Sequence, residues 1–553
     1  MIYPKIPLAQ SIIEICHAKG IQHIVISPGS RNAPLTIGFT QNPHFKCYSI
    51  ADERCAAFFA LGIAQQTNKP VVVVCTSGSA VLNFYPAVAE AFYSQIPLVI
   101  ISADRPIDKV DIGDGQTIRQ ENVLANHTHF NANLTAVASE ENDFKINEAF
   151  NKAFLKSGPT HINAPFEEPL YETITVSSVD TMISTLGKVY RHIPLEDIIA
   201  STNIWNTSSK KLILVGSFEP NKIDESVIRH LANDPSVIVM TETTSNFHHP
   251  SFLHNIDSII TPFDEEEIRA FQPELLLTFG GMIISKRIKT LLRDFPPDNH
   301  WHVDRLRAYN TFGSLSFHFE ANPNDFFNQF LPYTKYVASP YRNFGVELKE
   351  YRKQKHDTYL ATIPFSDFKA VACIVNQLPK QLQLQVGNSS SIRYLQLFSM
   401  PVTVPVFCNR GTSGIDGSTS TAIGAAVASQ QETLLITGDV SFLYDSNALW
   451  NNYIPKNFKI IILNNGGGGI FRILPGHQEN ELFHTYFETA HCLTAAQLAT
   501  MYRFEYHQAS DEKGLKEILP QFFKEQDKPQ ILEIFTPTYE NDGVLKRYFK
   551  ELI

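Results

Sequence analysis

Short apolar runs ending in small polar residues recur along the chain, each followed by a stretch with helical spacing. In the first third they are IVISPGSR (Ile24 to Arg31), VVVVCTSG (Val71 to Gly78) and PLVIISAD (Pro97 to Asp104). In the last third they are LQVGNS (Leu384 to Ser389), TLLITGD (Thr433 to Asp439) and FKIIILNN (Phe458 to Asn465). Such runs read as buried strands, and buried strands alternating with helices predict an α/β fold with parallel sheets. Between the two sets, KLILVG (Lys211 to Gly216), VIVMT (Val237 to Thr241), ELLLTFGG (Glu274 to Gly281) and WHVD (Trp301 to Asp304) predict a third α/β unit. The polar or Pro-containing stretches VSSVDTMIST (Val176 to Thr185) and YTKYVASPY (Tyr333 to Tyr341) are linker candidates. Three domains are expected, over 1–180, 186–332 and 345–553.

The outer two sets are spaced alike. Ser30 to Gly78 is 48 residues and Ser389 to Gly438 is 49; Gly78 to Ser102 is 24 and Gly438 to Asn464 is 26. One plan used twice accounts for this, though any two α/β units share roughly similar spacings. Open parallel sheets bind their ligands beyond the carboxyl ends of the strands, so chemistry is expected in the loops that follow these runs.

In YSIADERCAAFFALG (Tyr48 to Gly62) the spacing predicts a helix from about Asp52 to Gln65. Carboxylates at a helix start gain about 0.3–1 kcal/mol from the helix dipole, which alone could account for Asp52 and Glu53. Yet Ala56, Ala57, Phe58, Phe59, Leu61, Ile63 and Ala64 cover most of the circumference, so the helix is expected to be buried. An acid at the start of a buried helix needs a partner.

Composition narrows the function classes. The 553 residues allow three or four domains with large cores. A net charge of -10 argues against nucleic acid or an anionic membrane as the main partner. Seven cysteines, at 16, 47, 55, 75, 373, 408 and 492, form no C-x-x-C pair and fit a reducing cytoplasm. The longest apolar runs are far short of the ~18 residues of a membrane helix, and the amino terminus carries no export-signal pattern. Neither G-x-G-x-x-G after a strand nor a phosphate-binding G-x-x-x-x-G-K-[ST] loop occurs, and His248 and His249 have no third metal ligand at suitable spacing.

GDVSFLYDSNALW (Gly438 to Trp450) begins at one predicted strand end, and NNGGGGIF (Asn464 to Phe471) follows the next. Asp439 offers a hard carboxylate oxygen and Asn465 an amide oxygen, and glycines let backbone groups approach a ligand closely. That donor set suits magnesium on a diphosphate, since magnesium takes few protein oxygens and completes its shell from phosphate and water. Asp439 and Asn465, 26 residues apart, resemble the Gly-Asp and Asn-Asn metal motif of thiamine-diphosphate enzymes.

The resemblance narrows further. SPGSR (Ser27 to Arg31), ADER (Ala51 to Arg54), TSGSA (Thr76 to Ala80), SADRP (Ser102 to Pro106), QTIRQ (Gln116 to Gln120), HINAP (His161 to Pro165), GNS (Gly387 to Ser389) and NRGTSGIDG (Asn409 to Gly417) are similar to one family. It is the menaquinone-pathway synthase that makes 2-succinyl-5-enolpyruvyl-6-hydroxy-3-cyclohexene-1-carboxylate. The resemblance implies decarboxylation of 2-oxoglutarate on thiamine diphosphate, with magnesium or manganese, and conjugate addition of the succinyl-semialdehyde carbanion to isochorismate. It implies a first domain that binds the aminopyrimidine ring and a last domain that binds diphosphate and metal. The expected assembly is a homodimer or homotetramer with active sites at the subunit interface.

Site residues follow by position. Glu53 matches the glutamate that hydrogen-bonds the aminopyrimidine ring and promotes its imino tautomer; an apolar, poorly solvated site favours a carboxyl that can share a proton. Asp439, Asn465 and Gly467 match the metal ligands. Thr76, Gly78, Ser413, Ile415, Gly438, Val440, Ser441, Ile470 and Phe471 match cofactor contacts, with Ile415 the apolar wedge that bends the cofactor. Ser30, Arg31, Arg105, Gln116, Lys286, Arg287, Ser389 and Arg393 match substrate contacts, mainly to isochorismate, and Arg410 matches a contact to the oxo-acid carboxylate or the intermediate. Both substrates are dianions, which arginine's planar fork suits. Two departures stand out: four glycines (Gly466 to Gly469) follow the Asn pair, implying a loop more mobile without ligand, and GDG (Gly113 to Gly115) precedes Gln116. Another thiamine-diphosphate 2-oxo-acid decarboxylase, or an acetohydroxyacid-synthase-like carboligase, is the alternative.

Overall fold

The computed structural model describes residues 2–187, 192–473, 476 and 478–553. The positions outside these are the first residue of the expected first domain, four near the start of the middle one and three within the last.

Three parallel sheets carry the chain. The first holds β1 (His23–Ile26), β2 (Lys46–Ser49), β3 (Val71–Cys75), β4 (Leu98–Asp104), β5 (Asn131–Asn133) and β6 (Thr160–Pro165) in the order β2-β1-β3-β4-β6-β5. The middle sheet holds β7 (Lys211–Val215), β8 (Val237–Thr241), β9 (Leu275–Phe279), β10 (Asn299–Val303) and β11 (Leu315–Phe319) in the order β8-β7-β9-β10-β11. The last holds β12 (Gln383–Val386), β13 (Val406–Cys408), β14 (Thr433–Gly438), β15 (Phe458–Asn464), β16 (Glu505–Ala509) and β17 (Gln530–Phe535) in the order β13-β12-β14-β15-β17-β16. Strand for strand, the first and last orders are the same, which is the duplication that spacing predicts.

The central strands are the apolar runs. Every residue of β3, β4 and β15 is buried, as expected of parallel strands covered on both faces. The edge strands β2, β5, β13 and β16 are short or polar, so hydrophobic pattern alone does not reveal them.

One apolar core runs through the first and last units, joining Phe58, Phe59 and Leu61 to Ile423, Phe442 and Ile460. At its centre the Glu53–Thr67 helix crosses the Ser418–Ser429 helix. A Cβ on Gly62 would lie 2.1 Å from the Thr421 carbonyl, and one on Gly424 would lie 2.0 Å from the Phe59 carbonyl. Only glycine at both positions lets the two backbones meet. The Glu53–Thr67 helix matches the predicted one, and Asp52 is its N-cap, its side chain accepting the Cys55 N–H at 3.1 Å. Asp52 is therefore accounted for by capping, and Glu53 is not.

The middle unit is tied to the last through backbone-like pairing. Asn246 Nδ2 donates to the Val406 carbonyl (3.0 Å), and the Val406 N–H donates to Asn246 Oδ1 (2.8 Å). This brings the strand ends of the middle sheet against the loops of the last. Among the described residues, no single helix is long and apolar enough to cross a membrane.

Candidate active site

In the first unit, the predicted cations converge on a residue that motif reading passes over. Arg31, buried at the end of β1, donates to the Phe166 carbonyl (2.9 Å) and to Glu168 Oε1 (3.2 Å). Arg105, just past β4, lies 3.9 Å from the same oxygen and donates to the Gly115 carbonyl at 3.3 Å. Burial, and then the proximity of Arg105, lower the Arg31 guanidinium's pKa from its ordinary value. Each arginine keeps a buried Nε with no partner. Two guanidinium groups sharing one carboxylate form a receptor for another carboxylate. Ser30, next to them, is exposed.

Glu53 and the turn after β3 come together. The Glu53 carboxyl is half-buried and, among the described residues, bonds no other side chain; burial raises its pKa above the ordinary value, its own backbone opposes the shift and Asp52 adds to it. Burial, and then the charge of Glu53, raise the pKa of the Cys75 thiol at the end of β3, which precedes Thr76 in the chain. Thr76 Oγ1 is buried without a partner. Gly78 N–H donates to Gln120 Oε1 (2.8 Å), and Ser77 Oγ donates to the Gln116 carbonyl (2.9 Å). Gln120 in turn donates to Asn163 Oδ1 (2.9 Å), and Asn163 donates to Asp104 Oδ2 (2.8 Å). This buried chain of amides fixes the Gly78 turn relative to Arg105.

The last unit brings Asp439, Asn465 and Gly467 into one place. Asp439 opens the helix after β14; its Oδ1 accepts the Val440 N–H (2.7 Å) and its Oδ2 accepts the N–H groups of Gly466 (2.9 Å) and Gly467 (3.0 Å). Asn465 donates its Nδ2 to Asp367 Oδ2 at 2.8 Å, which leaves its Oδ1 buried with no partner. Asp367 itself is buried and its pKa is pushed up to about 6, chiefly by burial. Gly467 has φ 152°, and a Cβ there would lie 2.7 Å from the Glu488 carbonyl. Its own carbonyl accepts the Gly469 N–H at 3.0 Å and retains a second lone pair. Carboxylate, unpaired amide oxygen and carbonyl form the all-oxygen donor set that fits magnesium or manganese. Among the described residues, no group of three His, Cys, Asp or Glu could hold a metal by itself. Ile470 and Phe471 continue from the glycine loop, and Arg472 behind them is buried against Glu488.

Asn388, inside GNS but assigned no role there, organises the rest of this end. It donates to the carbonyls of Asn409 and Gly414, each at 2.7 Å, and accepts from Arg410 Nη1 at 2.7 Å. Ser441 Oγ donates to the Ile415 carbonyl (3.0 Å), tying the predicted wedge to the helix that Asp439 starts. Gln116, Ser389 and Ser413 all have positive φ (56°, 68° and 60°), a costly conformation for non-glycine residues that clusters at functional sites. From the first unit, Glu90 accepts the Gly411 and Thr412 N–H groups, each at 2.7 Å, and so holds the loop between Arg410 and Ser413.

The predicted cations of the middle unit divide. Lys286 and Arg287 open the Lys286–Asp294 helix, whose N-cap Ser285 accepts the Ile288 N–H at 3.1 Å. Arg287 lies over the Phe549 ring at 4.1 Å, and Lys286 is exposed. Glu242, fully buried at the end of β8, accepts the Ile284 and Ser285 N–H groups (2.7 Å for the closer bond of each) and so holds that helix start. Burial raises its pKa to about 7. Glu90, Glu168, Glu242, Asp367 and Asn388 were not singled out in the sequence because their partners lie far along the chain. Among the described residues, no hydrogen bond or ion pair links Glu53 to Asp439; the two units meet instead through Asp52 and Asn447 (2.8 Å) and through Arg54 and the Tyr444 carbonyl (2.9 Å).

Known proteins resemble both ends and the whole. Residues 6–129 match the family model for the thiamine pyrophosphate enzyme N-terminal TPP binding domain, and residues 386–534 match that for the C-terminal TPP binding domain. A 2-succinyl-5-enolpyruvyl-6-hydroxy-3-cyclohexene-1-carboxylate synthase of Flavobacterium psychrophilum is 66% identical over 552 residues, covering 100% of each chain. The synthase of the same name from Flavobacterium johnsoniae is 63% identical over 553 residues, again covering 100% of each. That of Porphyromonas gingivalis is 38% identical over 97% of this chain and 96% of its own.

Proposed function

The chain belongs to the 2-succinyl-5-enolpyruvyl-6-hydroxy-3-cyclohexene-1-carboxylate synthases, thiamine-diphosphate-dependent enzymes, and from that premise we propose how its residues divide the work. The substrates are 2-oxoglutarate and isochorismate, and the products are the synthase's named cyclohexene carboxylate and carbon dioxide. When bound, thiamine diphosphate supplies the nucleophilic carbon and the electron sink that decarboxylation of a 2-oxo acid needs. Glu53 holds or releases a proton at the aminopyrimidine nitrogen; its unpaired carboxyl with a raised pKa supports this role.

Asp439, Asn465 Oδ1 and the Gly467 carbonyl would hold magnesium, or manganese in its place, with the N–H groups of Gly466 and Gly467 orienting the Asp439 carboxylate. The observation that carries this assignment is the buried, unpaired Asn465 Oδ1, aimed by Asp367. Ile415, held by Ser441, would be the apolar residue that packs against thiamine diphosphate. Arg31 and Arg105 exchange Glu168 for a carboxylate of isochorismate, with Ser30, Gln116 and Ser389 around it. Arg410, fixed by Asn388, receives the carboxylate of 2-oxoglutarate.

The enzyme works as a homodimer or homotetramer in which Glu53 of one chain faces Asp439 of another. Among the described residues, the Glu53 carboxyl bonds no other side chain, which supports this arrangement. Seven free cysteines fit a cytoplasmic enzyme. The test follows consumption of 2-oxoglutarate with thiamine diphosphate and magnesium. Added isochorismate is expected to divert the carbon to one adduct, whereas release of succinyl semialdehyde at an unchanged rate would make the chain a plain decarboxylase.

A further inference from the structure

Glu90 has no role in the scheme above, and it occupies an unusual place for an acid. It lies on the buried face of the Tyr85–Ser94 helix beside Ala87 and Ala91, and is only 1% exposed. Among the described residues no ion pair reaches it. Four hydrogen bonds hold it instead: Oε1 accepts the Gly411 N–H (2.7 Å) and the Ser94 Oγ–H (2.6 Å), and Oε2 accepts the Thr412 N–H (2.7 Å) and Oγ–H (2.9 Å). Three of these donors come from one loop of the last unit. A Cβ on Gly411 would lie 2.5 Å from the Glu90 carbonyl, so glycine at that position is what lets the loop come this close.

Joining the two units does not require this acid. The helix crossing at Gly62 and Gly424 and the shared apolar core already join them, and burying a carboxyl group is costly unless its oxygens find donors. What bonds to successive N–H groups add is direction. A peptide group is planar, so fixing the Gly411 N–H fixes the Arg410 carbonyl in the same plane, and fixing the Thr412 N–H does the same for the Gly411 carbonyl. The last unit grips the loop on either side of this point. Asn388 donates to the Asn409 and Gly414 carbonyls and accepts from Arg410 Nη1, each at 2.7 Å, and Ser441 Oγ donates to the Ile415 carbonyl at 3.0 Å. Glu90 thus sets the backbone that leads away from Arg410, and the last unit sets its flanks.

We propose that Glu90 is a positioning residue for the 2-oxo acid: by holding the Gly411 and Thr412 N–H groups it aims Arg410 at the carboxylate of 2-oxoglutarate. The assignment rests on the reading of Arg410 given above. It makes the first unit responsible for aligning a substrate-binding loop of the last.

An amide nitrogen cannot accept, so Glu90→Gln keeps the side chain's size and leaves two of the four donors without an acceptor. Thr412→Val, close in shape to the original, removes only the Oγ–H bond. Arg410→Met serves as the reference. The test is steady-state kinetics with 2-oxoglutarate, isochorismate and thiamine diphosphate varied in turn, beside a thermal melt that shows each variant folded. For Glu90→Gln the KM for 2-oxoglutarate is expected to rise at least about tenfold, the scale of a lost hydrogen bond to a charged group, and for Thr412→Val about threefold. In both variants the KM for isochorismate and the dependence on thiamine diphosphate are expected to stay at their wild-type values. An unchanged 2-oxoglutarate KM in folded Glu90→Gln overturns the proposal, as does an equal rise in all three constants, the mark of a merely structural role. Should Glu90→Gln fail to fold, Thr412→Val decides by the same two outcomes. An unchanged 2-oxoglutarate KM in Arg410→Met overturns the reading of Arg410 instead, and this assignment with it.

Discussion

The first and last sheets share one strand order and differ in what their strand ends carry. Beyond the first sheet lie guanidinium groups and a carboxyl, Glu53, that bonds no other side chain among the described residues. Beyond the last lie a carboxylate fully engaged by backbone N–H groups and an amide oxygen left unpaired. The duplicated scaffold fixes where chemistry happens, and side chains at matching strand ends determine which chemistry it is. In the proposed division of work, one unit handles protons and carboxylates and the other metal and phosphate. The two are locked together by the helix crossing at Gly62 and Gly424, so their active ends keep a fixed relation.

If the division is real, the two ends should break in different ways. The largest effect is expected from Glu53→Gln, which keeps the shape of the side chain and removes its titrating proton. Turnover should fall by about 10²–10⁴-fold, the usual contribution of a general acid–base group, with an unchanged circular-dichroism spectrum. Gly424→Ala attacks the joint between the units. The added methyl meets the Phe59 carbonyl, and a thermal melt should show a loss of about 1–3 kcal/mol as the helices are forced apart.

Asp367→Asn tests the metal end without touching a ligand. It turns one of the two acceptor oxygens that serve Asn465 and Thr536 into an N–H donor, and the magnesium concentration for half-maximal activity should rise by about 10–100-fold, as for other residues that orient a metal ligand. A rise in the KM for isochorismate with no change in magnesium dependence would blur the two roles into one.

The smallest effect concerns the joint's pH response. Asp445 is buried beneath the start of the Ser418–Ser429 helix, where it accepts the Ser420 N–H (2.7 Å) and Oγ–H (2.8 Å), and its pKa is pushed up to about 7 by burial. An acid whose folded-state pKa is raised contributes stability below its unfolded value, and that stability is lost as pH rises through the raised value. The contribution of Asp445 should therefore fall between about pH 4 and pH 7. Melting wild type and Asp445→Asn at pH 5 and pH 8 should show the variant gaining on the wild type at the higher pH. The relative shift is read in degrees, each kcal/mol moving a large domain by about 2–4 °C.

How much of this was legible in the chain follows from how local each signal is. The central strands and the Asp439–Asn465 pair stand out because apolar runs and their terminal polar residues are contiguous in sequence. The edge strands Lys46–Ser49 and Asn131–Asn133 do not, because an edge need not be apolar. Glu53 was marked by a mismatch between an acid and a buried helix, and Asp52 turned out to need only a capping role. Glu168 and Glu242 carry no local mark at all. Glu168 matters because Arg31 and Arg105 reach it, and Glu242 because a loop 42 residues away bonds to it. Asp367 orients Asn465 across 98 residues of sequence.

The division of labour itself is tested most directly by titrating thiamine diphosphate and magnesium calorimetrically into Glu53→Gln and Asn465→Ala. Glu53→Gln, despite its lost turnover, is expected to bind the cofactor within about tenfold of wild type, the scale of one hydrogen bond, whereas Asn465→Ala should lose the magnesium-dependent part of the affinity. Cofactor binding abolished in Glu53→Gln, or unaltered magnesium dependence in Asn465→Ala, would contradict it.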